Sequence, residues 1–370
     1  LSDETTLPKS HLTAILAPEI ERPANMGATI AMPEPITKDI AIIGAGPVGL
    51  FAIFEAGMLG LSVVVIDALE HLGGQCTALY PEKPIYDIPA YPSILAQDLV
   101  DRLIEQAAPF HPTYLLNRQV TGLSQRPDGA WDLVTSTGDQ ITAKTVILAA
   151  GAGAFGPNRP PLPDLETFEA TGSVAYLVRR REDLRGKRIV IGGGGDSAVD
   201  WAISLAEVAK SVALVHRRPV FRAAPESLKK LDALAQSGGI DLVVPYQLKS
   251  LKGTDGRLSA VEVQANDGSL RDLEADILLP FYGLSMNLGP IADWGLDLAH
   301  KHVSVDPTTC ATNLPGFFAI GDIATYPNKL KLILSGFSEA AFAVHAARKV
   351  LHPGQEVHFE YSTSRGVPGA

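Results

Sequence analysis

Two glycine turns and the residues that follow them carry the chemistry in this sequence. Residues 40–43 are an apolar run. Gly44, Gly46 and Gly49 then spell GxGxxG with Pro47 inside it, and a β-branched run at 63–66 ends in Asp67. Gly44 makes a tight turn, Gly46 lets a pyrophosphate reach backbone N–H groups at a helix start, and Gly49 permits close helix–strand packing. Asp67, 23 residues beyond Gly44, can accept hydrogen bonds from a ribose diol. The isolated motif is common, but strand, helix and terminal acid together specify a dinucleotide site.

The pattern returns at an offset of 149. Residues 187–191 read as a strand, Gly193, Gly195 and Ala198 give GxGxxA around Asp196 and Ser197, and 212–215 is the next strand. His216 falls where Asp67 stood, followed by Arg217, Arg218 and Arg222. A carboxylate repels a 2′-phosphate, whereas guanidinium groups bind it through charge-assisted forks. The second site is therefore expected to take NADP(H), and the first the ADP half of FAD. Two dinucleotides in one chain imply electron transfer between them, and flavin with nicotinamide is the natural pair.

The elements that must hold these residues are legible in the same runs. Residues 94–108 have helical spacing, 131–135 and 141–149 read as strands, and 156–163, GPNRPPLP, is a linker. A strand at 316–322 ends in Gly321-Asp322, and a helix at 336–351 can aim its positive end at the negative charge of a reduced flavin. The expected fold class is α/β with two Rossmann-like dinucleotide-binding domains. The FAD domain is discontinuous (38–157 and 284–370), with the NADP domain (158–283) inserted. Residues 1–37, with five prolines and no sustained periodicity, read as a flexible N-terminal extension.

Composition closes off other classes. A net charge of −10 opposes nucleic-acid binding, which rests on phosphate neutralisation. Two cysteines, Cys76 and Cys310, are too few for a disulfide framework, an iron–sulfur cluster or a cysteine zinc site. The nine histidines form no HxxxH pair, so no metal is expected. The most apolar region, 40–66, contains Pro47, Glu55 and five glycines, which suits a buried βαβ unit rather than a membrane span. No secretory leader is legible, and a reducing cytoplasm is the expected compartment.

With these residues assembled, the sequence resembles the flavoprotein pyridine nucleotide reductases related to thioredoxin reductase. Within them it is most similar to the thioredoxin-reductase-like ferredoxin–NADP reductases. The likeness spans about residues 38–365. It rests on GGQCTALYPEKPIYDIPAYP at 73–92, GGGDSAVDWA at 193–202, HRRPVFRA at 216–223, GFFAIGD at 316–322 and YSTS at 361–364. It implies that Asp322 hydrogen-bonds the FAD ribityl chain, that Tyr80 stacks on one flavin face and that Tyr361 covers the other. It also counts Gly74, Gln75, Gly151 and Ser362 among the FAD contacts. In the family the C-terminal tail comes from a partner subunit, which implies a homodimer.

Cysteine placement narrows the acceptor. Thioredoxin reductases carry CxxC just before the second glycine motif, but 173–192 holds no cysteine. Glutathione-reductase relatives carry CxxxxC, and here Cys76 is followed by Pro81 at the second position. Without a dithiol the usual relay to a disulfide is absent, and Cys76 reads as a small buried residue.

The expected function is FAD-dependent electron transfer between NADPH and ferredoxin or flavodoxin, by hydride transfer to flavin and two one-electron transfers. No acid or base is nominated. The alternatives are an NADPH-dependent disulfide or small-acceptor reductase and a flavin redox sensor without turnover. Residues 179–230 hold twelve Lys and Arg against six Asp and Glu, a net +6 in a chain of −10, and this stretch is expected to steer an acidic protein partner.

Overall fold

The computed structural model describes residues 35–355 and Gly366. Residues 1–34, Tyr361 and Ser362 lie outside them. The first glycine motif joins strand β1 (Ile36–Ile43) to helix α1 (Pro47–Met58), which leads to β2 (Val63–Ile66). After short helix α2 (Gln75–Leu79) and helix α3 (Ala96–Ala107) come β3 (Thr113–Leu115), β4 (Val120–Gln125), β5 (Trp131–Thr135) and β6 (Gln140–Leu148). β1 starts four residues before the apolar run, because residues 36–38 pair with 141–143 of β6.

The sheet order is β3-β2-β1-β6-β5-β4, with β1, β2, β3 and β6 parallel and the β4–β5–β6 connections antiparallel. Along β1, Ile40 and Ile42 point to a core shared with α1 and α3. Ala41 and Ile43 point to the opposite core around Trp131 and Phe317. A strand buried on both faces has no polar side, which is why 40–43 reads as continuous apolar sequence.

The second motif joins β7 (Arg188–Gly192) to α4 (Asp196–Leu205) and β8 (Ser211–Val215). Helix α5 (Pro225–Gln236), β9 (Asp241–Val243) and β10 (Ile277–Pro280) complete a parallel sheet in the order β9-β8-β7-β10. A three-stranded antiparallel meander (Tyr246–Thr254, Arg257–Ala265, Leu270–Glu274) packs beside it.

The chain then returns to the first sheet. β11 (Phe317–Ala319) pairs in parallel with 146–148 of β6, and helix α6 (Ile333–Leu351) lies on α1. The FAD-type domain is therefore discontinuous, with the second dinucleotide domain inserted. Where the chain leaves and re-enters, Ala154–Pro157 and Leu284–Asn287 pair antiparallel as a two-stranded ribbon. In both sheets the glycine turn follows a strand between two parallel neighbours, β1 between β2 and β6 and β7 between β8 and β10, and the switch in chain direction there opens a crevice at the strands' carboxyl ends.

Candidate functional site

Each glycine turn opens on a cavity. The first, about 480 Å³, is lined by Gly44, Gly46, Pro47, Asp67, Gly74, Gln75, Tyr80, Gly151 and Asp322. These are all the described FAD candidates except Gly49. A Cβ on Gly49 would lie 2.1 Å from the Gly44 carbonyl oxygen, so Gly49 sets helix–strand approach instead. Gly44 has φ +109°, and a Cβ there would meet the Ala149 carbonyl oxygen at 2.4 Å. Gly46 faces open space, with nothing within 4 Å of its missing Cβ. That open side of the α1 N-terminus is where a pyrophosphate can reach backbone N–H groups.

Asp67 closes the far end of this turn. Its Oδ2 accepts a hydrogen bond from the Ala45 N–H (2.6 Å) and its Oδ1 one from the Leu69 N–H (2.8 Å). Burial raises its pKa above the ordinary carboxylate value despite these two donors. Each oxygen keeps acceptor capacity for a diol. Tyr80 lies beside Cys76, whose Sγ donates weakly to the tyrosine oxygen at 4.0 Å, and Lys83 Nζ sits 6.0 Å from the Tyr80 ring centre.

Several lining residues carry no sequence signal. Arg118, Gln119 and Val120 arrive from the start of β4, and Trp294 and Lys331 from the returning segment. Arg118 is held by Asp139 (2.7 Å) and the Leu116 carbonyl (2.8 Å). Lys331 Nζ lies 2.6 Å from His302 Nε2, and burial followed by the Lys331 charge holds that imidazole below its usual pKa. Among the described residues, Trp294 Nε1 is the buried side-chain donor left without a partner. A lining with an open glycine face, a ribose-type carboxylate and a spare indole N–H fits a flavin adenine dinucleotide.

The second cavity, about 530 Å³, is lined by Gly193, Gly194, Gly195, His216, Arg217, Arg218 and Arg222, with Tyr246 and Tyr282 opposite. It repeats the first at equivalent positions. A Cβ on Gly193 would meet the Phe281 carbonyl oxygen at 2.6 Å, while one on Gly195 would meet only the Arg222 carbonyl oxygen, at an ordinary 3.9 Å. The arginine loop folds back onto the turn through the Arg222 N–H, which donates to the Gly194 carbonyl (2.7 Å). The His216 ring is tilted against Phe221 (centroids 5.3 Å apart) and occupies the space a Gly194 Cβ would need. Burial, then the three arginines, hold His216 below its usual pKa. Among the described residues none of Arg217, Arg218 and Arg222 is in an ion pair, so three free guanidinium groups line the cavity.

Asp196, Ser197 and Ala198 do not line this cavity. Asp196 Oδ1 instead accepts from the Ala224 N–H at 3.0 Å, tying the loop's end to the start of α4, and Ala198 is buried under the turn. The second cavity is thus lined by the glycines, His216 and the arginines.

The family model of the pyridine nucleotide-disulphide oxidoreductases matches residues 38–347. A ferredoxin–NADP reductase of Granulibacter bethesdensis is 61% identical over 92% of this chain and 97% of its own. One from Paramagnetospirillum magneticum is 62% identical over 89% of this chain and 98% of its own. The chain belongs to this family. In fold it is similar to a thioredoxin reductase of Lactococcus lactis, with a TM-score of 0.73 at 24% identity over 85% of this chain and 99% of that one.

This pyridine nucleotide-disulphide oxidoreductase has no dithiol. Cys76 and Cys310 are both buried and free, and burial pushes their thiols up to about 11 and about 12. Neither is a thiolate nucleophile at neutral pH. Among the described residues no group of His, Cys, Asp and Glu could hold a metal, and no helix is long and apolar enough to cross a membrane.

Proposed function

We infer that this chain is an FAD-dependent ferredoxin–NADP reductase. The observation that carries the reading is the pairing of a cavity ending in Asp67 with one lined by three unpaired arginines, in a chain without a dithiol. When bound, FAD would supply the electron chemistry, accepting a hydride from NADPH and passing its two electrons singly to two ferredoxin molecules, with the proton released to solvent.

The chain's own residues bind, orient and shield. Gly44, Gly46 and Pro47 shape the turn that meets the pyrophosphate, Asp67 holds the adenosine ribose, and Gly74, Gln75, Gly151 and Asp322 hold the cofactor along the cavity. Tyr80 stacks on one flavin face, and Tyr361, with Ser362 beside it, covers the other. Gly193 and Gly195 receive the NADP pyrophosphate. Arg217, Arg218 and Arg222 take the 2′-phosphate, His216 packs against Phe221 beside them, and Asp196, Ser197 and Ala198 start the helix behind them. Hydride transfer depends on stacking and distance, so no general acid or base is required.

We place the domain boundaries at 157/158 and 283/284, and the position of the two-stranded ribbon supports them. We also propose a homodimer in which the C-terminal tail of one copy covers the flavin of the other. Exposed Leu330, Leu334, Phe342 and Val350, on α6 and its approach, support an apolar self-contact. Flavodoxin is proposed as a second acceptor and the cytoplasm as the compartment, which suits two free cysteines.

Stopped-flow reduction by NADPH, followed by mixing with ferredoxin, flavodoxin and thioredoxin, tests the reading. The flavin absorbance is expected to bleach with NADPH and return with ferredoxin but not with thioredoxin. Reoxidation by thioredoxin alone would overturn it.

A further inference from the structure

We propose that Glu339, on α6, is a positioning residue for the flavin site, holding the wall of the first cavity through a buried cluster with Tyr326 and Lys329. The proposal rests on the reading of that cavity as the FAD site. Asp322, Lys331 and Leu332, which line it, all belong to the connection between β11 and α6. One carboxylate ties this connection at three points. Glu339 Oε2 accepts from the Gly321 N–H at 2.8 Å, and its Oε1 accepts from the Tyr326 hydroxyl at 2.6 Å and from Lys329 Nζ. Gly321 at the start of the loop, Tyr326 in its middle and Lys329 beyond therefore converge on a single group.

The cost of this arrangement argues for a task. The side chains of Glu339 and Lys329 are only 3% and 5% exposed. Removing two ions from water is expensive, and a well-packed apolar pair at such a place is often as stable or more so. What an apolar pair cannot do is accept the Gly321 N–H. Gly321 has φ +72° and opens the turn that aims Asp322. On its other side the preceding Ile320 N–H donates to the Leu148 carbonyl of β6 (2.9 Å). The turn is thus clamped between the sheet and Glu339, while the Asp322 carboxylate itself is left exposed for a ligand.

Two double variants separate the charge from the acceptor. Lys329→Met with Glu339→Gln removes both ions but keeps an oxygen facing Gly321. Lys329→Met with Glu339→Leu removes the acceptor as well. The measurements are FAD bound per wild-type chain, the rate at which FAD fluorescence appears on dilution, and the unfolding midpoint of each apoprotein. The Gln variant is expected to release FAD near the wild-type rate. The Leu variant should release it about tenfold faster, the scale of one buried acceptor lost. Tyr326→Phe, which removes one donor and no charge and leaves Glu339 its bonds to Gly321 and Lys329, should speed release about threefold while the apoprotein still folds, and it decides the matter if the Leu variant does not fold. Equal release from the two double variants, or wild-type release from Tyr326→Phe, overturns the role of Glu339. Wild-type protein that binds no FAD overturns the cavity's assignment instead.

Discussion

Gly46 and Gly49 are three positions apart and serve different masters. Because nothing lies within 4 Å of a Cβ on Gly46, Gly46→Ala is expected to leave the apoprotein's stability unchanged while lowering FAD occupancy. Gly49→Ala would drive a methyl group into the Gly44 carbonyl oxygen and should cost about 1–3 kcal/mol of stability, as overpacking does. Urea unfolding of both apoproteins, beside flavin content, separates the two roles. Arg217 and Arg218 make a second residue-scale test. Replacing both by Ala should weaken NADPH at least about tenfold and NADH hardly at all, since a charge-assisted bond contributes about 1.5–3 kcal/mol. Matched losses for the two coenzymes, read from Michaelis constants, would place the 2′-phosphate elsewhere.

At the scale of elements, the FAD site depends on how α6 returns to α1. A Cβ on Gly336 would come within 2.3 Å of Val48 Cγ2, and the rings of Phe51 and Phe337 meet nearby at a tilt of 46°, with centres 4.9 Å apart. Gly336→Ala should therefore push the helices apart and destabilise the protein by about 1–3 kcal/mol, with Val48, which also lines the first cavity, displaced. Thermal unfolding of the apoprotein and FAD titration together check this, and an unchanged midpoint would mean that Val48 moves aside freely. The basic stretch looks different in space from its count in sequence. Arg180 pairs with Asp183 (2.7 Å), Arg181 with Glu207 (2.8 Å) and Arg185 with Glu182 (2.7 Å), while Arg188 reaches Asp276 (2.6 Å) and Glu274 (3.0 Å) from outside the stretch. The first three acids lie inside the stretch and are already counted in its +6, whereas Asp276 and Glu274 lie outside it, so the field is weakened beyond that count only around Arg188.

For the whole molecule, the polarised charge, +6 in 179–230 against −10 in the chain, makes the basic stretch the face an acidic protein would approach. Steering is screened beyond about 8 Å at physiological salt, so ferredoxin reduction should slow as salt rises while a small neutral acceptor is much less affected. Neutralising Arg179, Arg180 and Arg181 should raise the Michaelis constant for ferredoxin and flatten its salt dependence, with flavin reduction by NADPH nearly unchanged. A wild-type salt slope in that variant would move the docking face elsewhere. Truncation before Tyr361 is expected to leave FAD bound, because the glycine turn and Asp322 remain, but to change the flavin spectrum and reduction kinetics. If spectrum and kinetics both match the full chain, Tyr361 does not cover the flavin.

What the sequence by itself determined was local chemistry. The two glycine turns, Asp67 and its replacement by His216 and the arginines were all legible, because a turn's steric needs and a strand's apolar period are set by near neighbours. The same holds for the absent dithiol motif, which is a matter of where Cys76 and Cys310 stand in the sequence. Only the tertiary structure decided the rest. Arg118, Trp294 and Lys331 reach the first cavity from segments with no shared spacing, brought together by the β3-β2-β1-β6 order and the return of β11 onto β6. Glu339 reads in sequence as one more polar residue on a helix, and nothing in its neighbours says that it is 2% exposed and bonded to Gly321. The acids that neutralise Arg188 lie 86 and 88 residues away. Pairings across such separations are set by sheet topology and side-chain packing, which no local pattern encodes.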